Sequence, residues 1–350
     1  MVDLLSFEFI VNIVIIAVAL IFLNLASDTV IKYATKVAAI SKLGKTSIGF
    51  TLISLSTTLP ELTVALSAAF SGGAPLSIGN ALGSNIFNIS AILGIGAILL
   101  ALNIGYGKMK RKSLAVTSGN IIPVFVRSEL SNIEFGLFIA SVVPLGLIYV
   151  GTDATWIVGL LLLFIFGWYM YRLSKVRIPT EESEVEVTPE EKGKLKRFAL
   201  FTIAGALGVV ISANFMVQSS IAIAEMAGLS QQIIGATIVA IGTSLPELTI
   251  SVKSILRGHS NLALGNILGA AFFNTTLILG VTLFVPVLLG SPMTLNMNVY
   301  LNTIIFSIVI NTFFWYFLSR RVIALKEGLA FLAIYILFII TTLTQGALPV

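Results

Sequence analysis

Two glutamates stand in matching contexts, Thr57-Thr58-Leu59-Pro60-Glu61 and Thr243-Ser244-Leu245-Pro246-Glu247, each well inside a long apolar stretch. Asp28, Glu134, Glu225 and Glu327 fall toward the ends of such stretches, where headgroups or water solvate them. A carboxylate at the centre of a bilayer costs several kcal/mol and therefore faces a polar cavity or a cation. Each glutamate follows a proline, which removes one backbone donor and clashes with the carbonyl four residues earlier, Ser56 or Gly242. The helix is thus expected to open just before each Glu, freeing carbonyls around Ser54 to Thr57 and Ala240 to Thr243 beside Thr and Ser hydroxyls. Irregular backbone at membrane depth is tolerated where it lines such a cavity.

Partner segments bring Gly79-Asn80, Gly83-Ser84 and Asn88, repeated as Gly265-Asn266, Gly269-Ala270 and Asn274. Small residues let helices approach closely, and the one-turn spacing places Asn80, Ser84 and Asn88 on one face. Asn80 and Asn266 stay open between lining the cavity and capping a Gly-rich helix start; Asn88 and Asn274 stay open between lining it and bonding helix to helix. Carboxylates, amide oxygens and carbonyls form an all-oxygen set with two negative charges, which suits Ca2+ with its six to eight oxygens in flexible geometry. Soft metals prefer sulfur or imidazole; the chain has no Cys, and its single His259 lies in a short polar break read as a loop.

These residues must be held by a membrane scaffold. The 350 residues are 57% apolar and 11% charged, against about a quarter charged in soluble domains. Segments near 20 apolar residues recur, and the alternating pattern of a transmembrane β-barrel is absent. The fold class expected is an all-α polytopic membrane protein with about ten transmembrane helices. They fall near 7–36, 46–70, 76–101, 133–150, 154–173, 197–227, 231–256, 261–285, 298–319 and 323–346. Asp3 and Glu8 replace the positive n-region of a signal peptide, so the first span is expected to be retained. Lys and Arg concentrate after odd-numbered spans, at Lys36, Lys42, Lys45, Lys108 to Lys112, Arg172 to Arg177, Arg257 and Arg320 to Lys326. The positive-inside rule makes those loops cytoplasmic and puts both termini outside. The net charge of +5 then serves orientation, and no nucleic acid is expected as a partner.

Residues 48–94 align without a gap to 234–280 at a constant offset of 186, with about 20 of 47 positions identical. The chain therefore divides into a first repeat at 1–178 with its core at 46–101, an acidic cytoplasmic linker at 179–196, and a second repeat at 197–350 with its core at 231–285. The linker holds six of the 16 acidic residues and reads as a solvated connection. With five helices per unit, an odd number, the second copy enters the membrane upside down relative to the first. Inverted repeats with a midplane site between them are the architecture of alternating-access transporters.

The motifs GTSLPEL at 242–248, STTLPEL at 56–62, GNALGSNIFN at 79–88 and GNILGAAFFN at 265–274 resemble the two conserved repeats of the Ca2+/cation antiporter superfamily, in particular its sodium/calcium exchanger branch. That resemblance implies electrogenic exchange of several Na+ for one Ca2+. It implies that Glu61 and Glu247 bind Ca2+ with backbone oxygens of Thr57 and Thr243. Na+ would use the same carboxylates with Ser54, Thr58, Ser84, Ala240 and Ser244, and Asn88 and Asn274 would line the centre. The long first and sixth helices would slide to switch access. Two departures bear on the counter-ion: Ala270-Ala271 replaces Ser84-Asn85, and Asn274 resembles the potassium-independent branch.

The function expected is a Na+/Ca2+ antiporter in the lipid bilayer of the cell membrane. Carboxylates also carry protons, so an H+/Ca2+ antiporter with the same residues stays open, and a passive cation channel is the reading from another class. An intramembrane enzyme is disfavoured because neither Glu has a His, Cys or metal-ligand neighbour in sequence for hydrolytic chemistry. No cofactor beyond the transported ions is expected, and no obligatory protein partner is evident.

Overall fold

In a computed structural model the described residues are 7–41, 45–71, 74–102, 138–143, 146, 155–175, 193–226, 240–290, 300–320 and 323–347, and nearly all of them are helical. The first repeat contributes α1 (Phe7–Ser41), α2 (Lys45–Ile48), a π-helical stretch at Gly49–Ile53, α3 (Ser54–Thr57), α4 (Leu59–Ser71), α5 (Ala74–Ile86), a second π stretch at Phe87–Ile92, α6 (Leu93–Ala101) and α7 (Thr155–Lys175). The second contributes α8 (Leu195–Met226), α9 (Ala240–Thr243), α10 (Leu245–Leu256), α11 (Ser260–Phe273), a third π stretch at Asn274–Ile278, α12 (Leu279–Leu288), α13 (Leu301–Arg320) and α14 (Leu325–Ala347).

Among these residues seven helices are long and apolar enough to cross a membrane, and an eighth span is the bent pair Gly49–Thr57 and Leu59–Leu66. The expected segments match where they are described, with α1 running five residues past its expected end at 36; residues 231–239 of the expected seventh helix lie outside the described residues. The expected fourth helix is seen only as a helical turn at 138–143, and the acidic linker falls largely on 176–192, outside the described residues.

Burial sorts the spans into a centre and a periphery. Ser77–Ala101 and Ser260–Leu288, the second halves of the two repeat cores, are 78% and 72% buried over their most apolar windows, whereas α1 is 12% buried. Bilayer replaces water as solvent, so the outward faces of α1, α7, α8 and α13 carry large apolar side chains such as Phe22, Phe164, Phe215 and Trp315. Aromatic packing around Phe50, Tyr169, Phe272 and Phe273 fills the interior beside α11.

Close helix approach is bought with glycine at the centre. A Cβ on Gly269 would strike Ser54 Oγ and the Phe50 carbonyl, and one on Gly49 would strike the Leu262 carbonyl. Consequently α11 of the second repeat lies directly on the Gly49–Thr57 segment of the first, backbone against backbone. The long helices α1 and α8 pack along one another, with Tyr33 against Phe198 and Phe201, and both also touch α10 and the first broken segment.

Candidate functional site

Both repeat cores break immediately before Pro-Glu. At Thr58 (φ −81°, ψ 8°) and Ser244 (φ −90°, ψ 6°) the chain leaves helical geometry for one residue. The two halves of the first broken span then meet at 49°. Thr58 N–H still donates to the Ser54 carbonyl at 2.9 Å, and Leu62 and Leu248 N–H donate to the Thr58 and Ser244 carbonyls at 3.0 Å. The donor missing from the ladder is the one each proline lacks, as the sequence dictates. Glu61 and Glu247 therefore occupy the first turns of α4 and α10, where unpaired N–H groups and the positive end of the helix dipole favour a carboxylate.

Both glutamates are fully buried, and a residue three before Glu247, Ser244, touches Glu61. Hydroxyls of the opposite repeat attend each: Ser244 Oγ donates to Glu61 Oε1 at 3.4 Å, Thr243 neighbours Glu61, and Thr57 neighbours Glu247. The two threonines also bond across the repeat boundary. Thr243 Oγ1 donates to Asn80 Oδ1 at 3.1 Å, and its counterpart Thr57 Oγ1 reaches Asn266 Oδ1 at 3.4 Å. Asn80 and Asn266 lie in mid-helix, so the capping reading is set aside: they brace the broken segments of the other repeat.

Asn88 and Asn274 sit in the π stretches, whose wide turns recur at functional sites. The stretch bearing Asn88 packs on the helix of Glu247, and the stretch bearing Asn274 packs on the helix of Glu61. Both amides are fully buried with neither polar atom hydrogen-bonded among the described residues, so they are not the bonds that join helix to helix. The same holds for Glu61 Oε2, both carboxylate oxygens of Glu247, and Ser84 Oγ. Buried polar atoms are nearly always paired. A set of six such oxygens, on Glu61, Glu247, Ser84, Asn88 and Asn274, on elements that pack together, is matched to a hard cation.

Other expected ligands are placed differently. The Ser54 hydroxyl donates to the carbonyls of Gly49 (3.0 Å) and Asn266 (2.8 Å), and the Thr58 hydroxyl donates to the Ser54 carbonyl at 2.8 Å. Both are engaged by backbone. Ala240 opens α9, where only a backbone oxygen is available to a cation. Among the described residues no group of three or more His, Cys, Asp and Glu is gathered, so neutral oxygens must complete any coordination.

Several contributors escaped the sequence reading. Ser251, one turn beyond Glu247, accepts the Asn266 amide at 3.0 Å, and Asn85 donates to Thr275 Oγ1 at 2.9 Å. Ser307 and Asn311 lie one turn apart and nearly buried on α13, which packs on α5 and the Asn88 stretch. Polar residues at helical spacing in an apolar span were the signal for them. Asp28, expected to be solvated near a span end, is partly exposed and also pairs with Lys253 at 2.5 Å and Arg257 at 2.9 Å, tying α1 to α10.

A family model described as sodium/calcium exchanger protein matches residues 11–175 and 197–344. The sodium/calcium exchanger MaX1 of Methanosarcina acetivorans is 29% identical over 293 residues, covering 79% of this chain and 84% of its own. The inner membrane protein YrbG of Escherichia coli is 29% identical over 240 residues, 67% of each chain. Among solved structures, the sodium-calcium exchanger NCX_Mj superposes with a TM-score of 0.73 at 25% identity, covering 94% of this chain and 97% of that one.

Proposed function

This chain belongs to the sodium/calcium exchanger protein family of membrane antiporters, and from that premise we propose that it exchanges Na+ for Ca2+ by alternating access at the Glu61–Glu247 pair. The observation that carries the reading is the pair itself: two fully buried carboxylates from opposite repeats, with Ser244, three residues before Glu247, reaching Glu61 Oε1 at 3.4 Å. One divalent ion between them neutralises both charges, and two Na+ do the same, so the cargoes compete for one place.

Calcium is held by the carboxylates with carbonyl oxygens of Thr57 and Thr243 at the helix breaks. Sodium takes the carboxylates with Ser84 Oγ, Ser244 Oγ and the backbone of Ser54, Thr58 and Ala240. Asn88 and Asn274 line the centre with their unpaired amides. An empty pair carries two uncompensated charges across an apolar barrier, which is costly; a loaded pair does not, and that difference couples switching to occupancy. The α1–α8 pair, which packs along the broken segments and α10, is the element that slides, with both termini outside.

Proteoliposomes loaded for 45Ca2+ uptake under an imposed Na+ gradient, and separately under an H+ gradient, test this reading. Na+-driven uptake is expected. Uptake that answers only to the H+ gradient would replace Na+ by H+ as counter-ion, and Ca2+ flux without any counter-ion gradient would make the protein a channel.

A further inference from the structure

The two halves of the site are related by the repeat but are not equal in ligands. In the first repeat Asn80, Ser84 and Asn88 follow at one-turn intervals; in the second the same places hold Asn266, Ala270 and Asn274. Ser84 and Ala270 are both fully buried. The hydroxyl of Ser84 has no partner among the described residues, whereas Ala270 offers a methyl. The neighbouring pair repeats the imbalance, since Asn85 faces Thr275 and retains an unpaired Oδ1, while its counterpart Ala271 has nothing polar to give. Ala240 stands where the first repeat has Ser54.

Thr275 does not restore the missing oxygen. Its hydroxyl donates to the Ala271 carbonyl at 2.6 Å and accepts from Asn85. Ser251, present only in the second repeat where the first has Ala65, is occupied by the Asn266 amide. The hydroxyl of Ser244 is the one side-chain oxygen beside Glu61 and Glu247 that the second repeat supplies from its break, apart from Thr243, which is committed to Asn80.

Charge sets the other bound. Among the described residues Glu61 and Glu247 are the only buried acidic side chains, and no basic side chain is buried with them. Two monovalent cations neutralise the pair. A third would place an unmatched charge at membrane depth, a cost of several kcal/mol that extra oxygen ligands must offset. One turn before the central asparagine only the first repeat has a spare hydroxyl, Ser84; the second repeat's unpartnered hydroxyls among the described residues, Ser254 and Ser307, lie two turns beyond Glu247 on α10 and on α13.

From this imbalance, and resting on the Na+ reading above, we infer that Ala270 limits the site to two Na+ per Ca2+, so that this exchanger is electroneutral. One Na+ lies on the Ser84 side and one between Glu247 and Ser244. The exchange then moves two positive charges each way, and the membrane potential does no work on it.

The test is the plateau of 45Ca2+ accumulation in proteoliposomes at a fixed Na+ gradient, with the potential set by a K+ gradient and valinomycin. One net charge per cycle shifts the plateau roughly 50-fold per 100 mV; the expectation for the native chain is no shift, with accumulation following about the square of the Na+ ratio. A plateau that moves with potential overturns the inference while leaving Na+ exchange intact. Absence of Na+-driven uptake overturns the Na+ reading and the inference with it. In Ala270→Ser the hydroxyl is restored on the second half, and the plateau should become potential-sensitive. A plateau that stays flat in that variant overturns the role given to Ala270.

Discussion

Thr243 donates its hydroxyl to Asn80 at 3.1 Å across the boundary between the two repeats, and the pair related to it by the repeat, Thr57 and Asn266, meets at 3.4 Å. Each broken segment is thus held by the second helix after the break in the other repeat, α5 or α11. The glutamates are aligned by one another's scaffolds, so a change in one half is transmitted to the ligands of the other. Replacing Thr243 with Val removes the bond to Asn80 and leaves that buried amide unsatisfied, which costs about 1–3 kcal/mol. The expected outcome is a rise in the Ca2+ concentration for half-maximal uptake of about 10-fold, with Thr57→Val similar.

Glu61→Gln and Glu247→Gln each keep the side-chain shape while removing half of the charge at the centre. Each should reduce 45Ca2+ uptake by roughly 100-fold or more, exceeding the 10–100-fold typical of losing a supporting group at a metal site. Stability in detergent without Ca2+ should not fall, because each substitution relieves repulsion between two buried carboxylates. A melting temperature well below the native value would show that the glutamates are structural. In the native chain Ca2+ should raise the melting temperature, by about 2.7 kcal/mol of stabilisation at 100 times Kd. That gain should vanish in Glu247→Gln.

Gly269 is the point of closest approach between α11 and the first broken span, where a Cβ would meet Ser54 Oγ and the Phe50 carbonyl. Gly269→Ala forces backbone apart and should destabilise by about 1–3 kcal/mol, read as a fall in melting temperature by fluorescence. Gly167→Ala, where a Cβ meets nothing within 4 Å, should be neutral or slightly stabilising and serves as its control.

Asp28 links the peripheral α1 to α10 through Lys253 and Arg257. All three side chains are partly exposed, so the pairs contribute at most about 1 kcal/mol and are screened by salt. Asp28→Asn should lower the melting temperature only slightly, and the difference from the native chain should shrink as NaCl rises from low to high concentration. A large, salt-independent loss would place Asp28 among the packing residues instead.

Much of this protein is legible before folding. The offset of 186 between the repeats, the odd helix count of each and the two Pro-Glu motifs determine an inverted pair of glutamates in broken helices, because proline's missing donor and the cost of a buried carboxylate are local facts that hold in any tertiary setting. Tertiary packing alone decided the rest. Which hydroxyls are spent and which are left for a cation depends on where the backbone of the other repeat lies: Ser54 and Thr58 are absorbed by carbonyls, while Ser84 is left unpaired. Asn80 and Asn266 carry the same residue type and spacing as Asn88 and Asn274, yet the first pair braces and the second stands unpaired. The difference lies in hydrogen-bond partners more than 150 residues away, and a partner at that separation exists only once the two repeats are packed together.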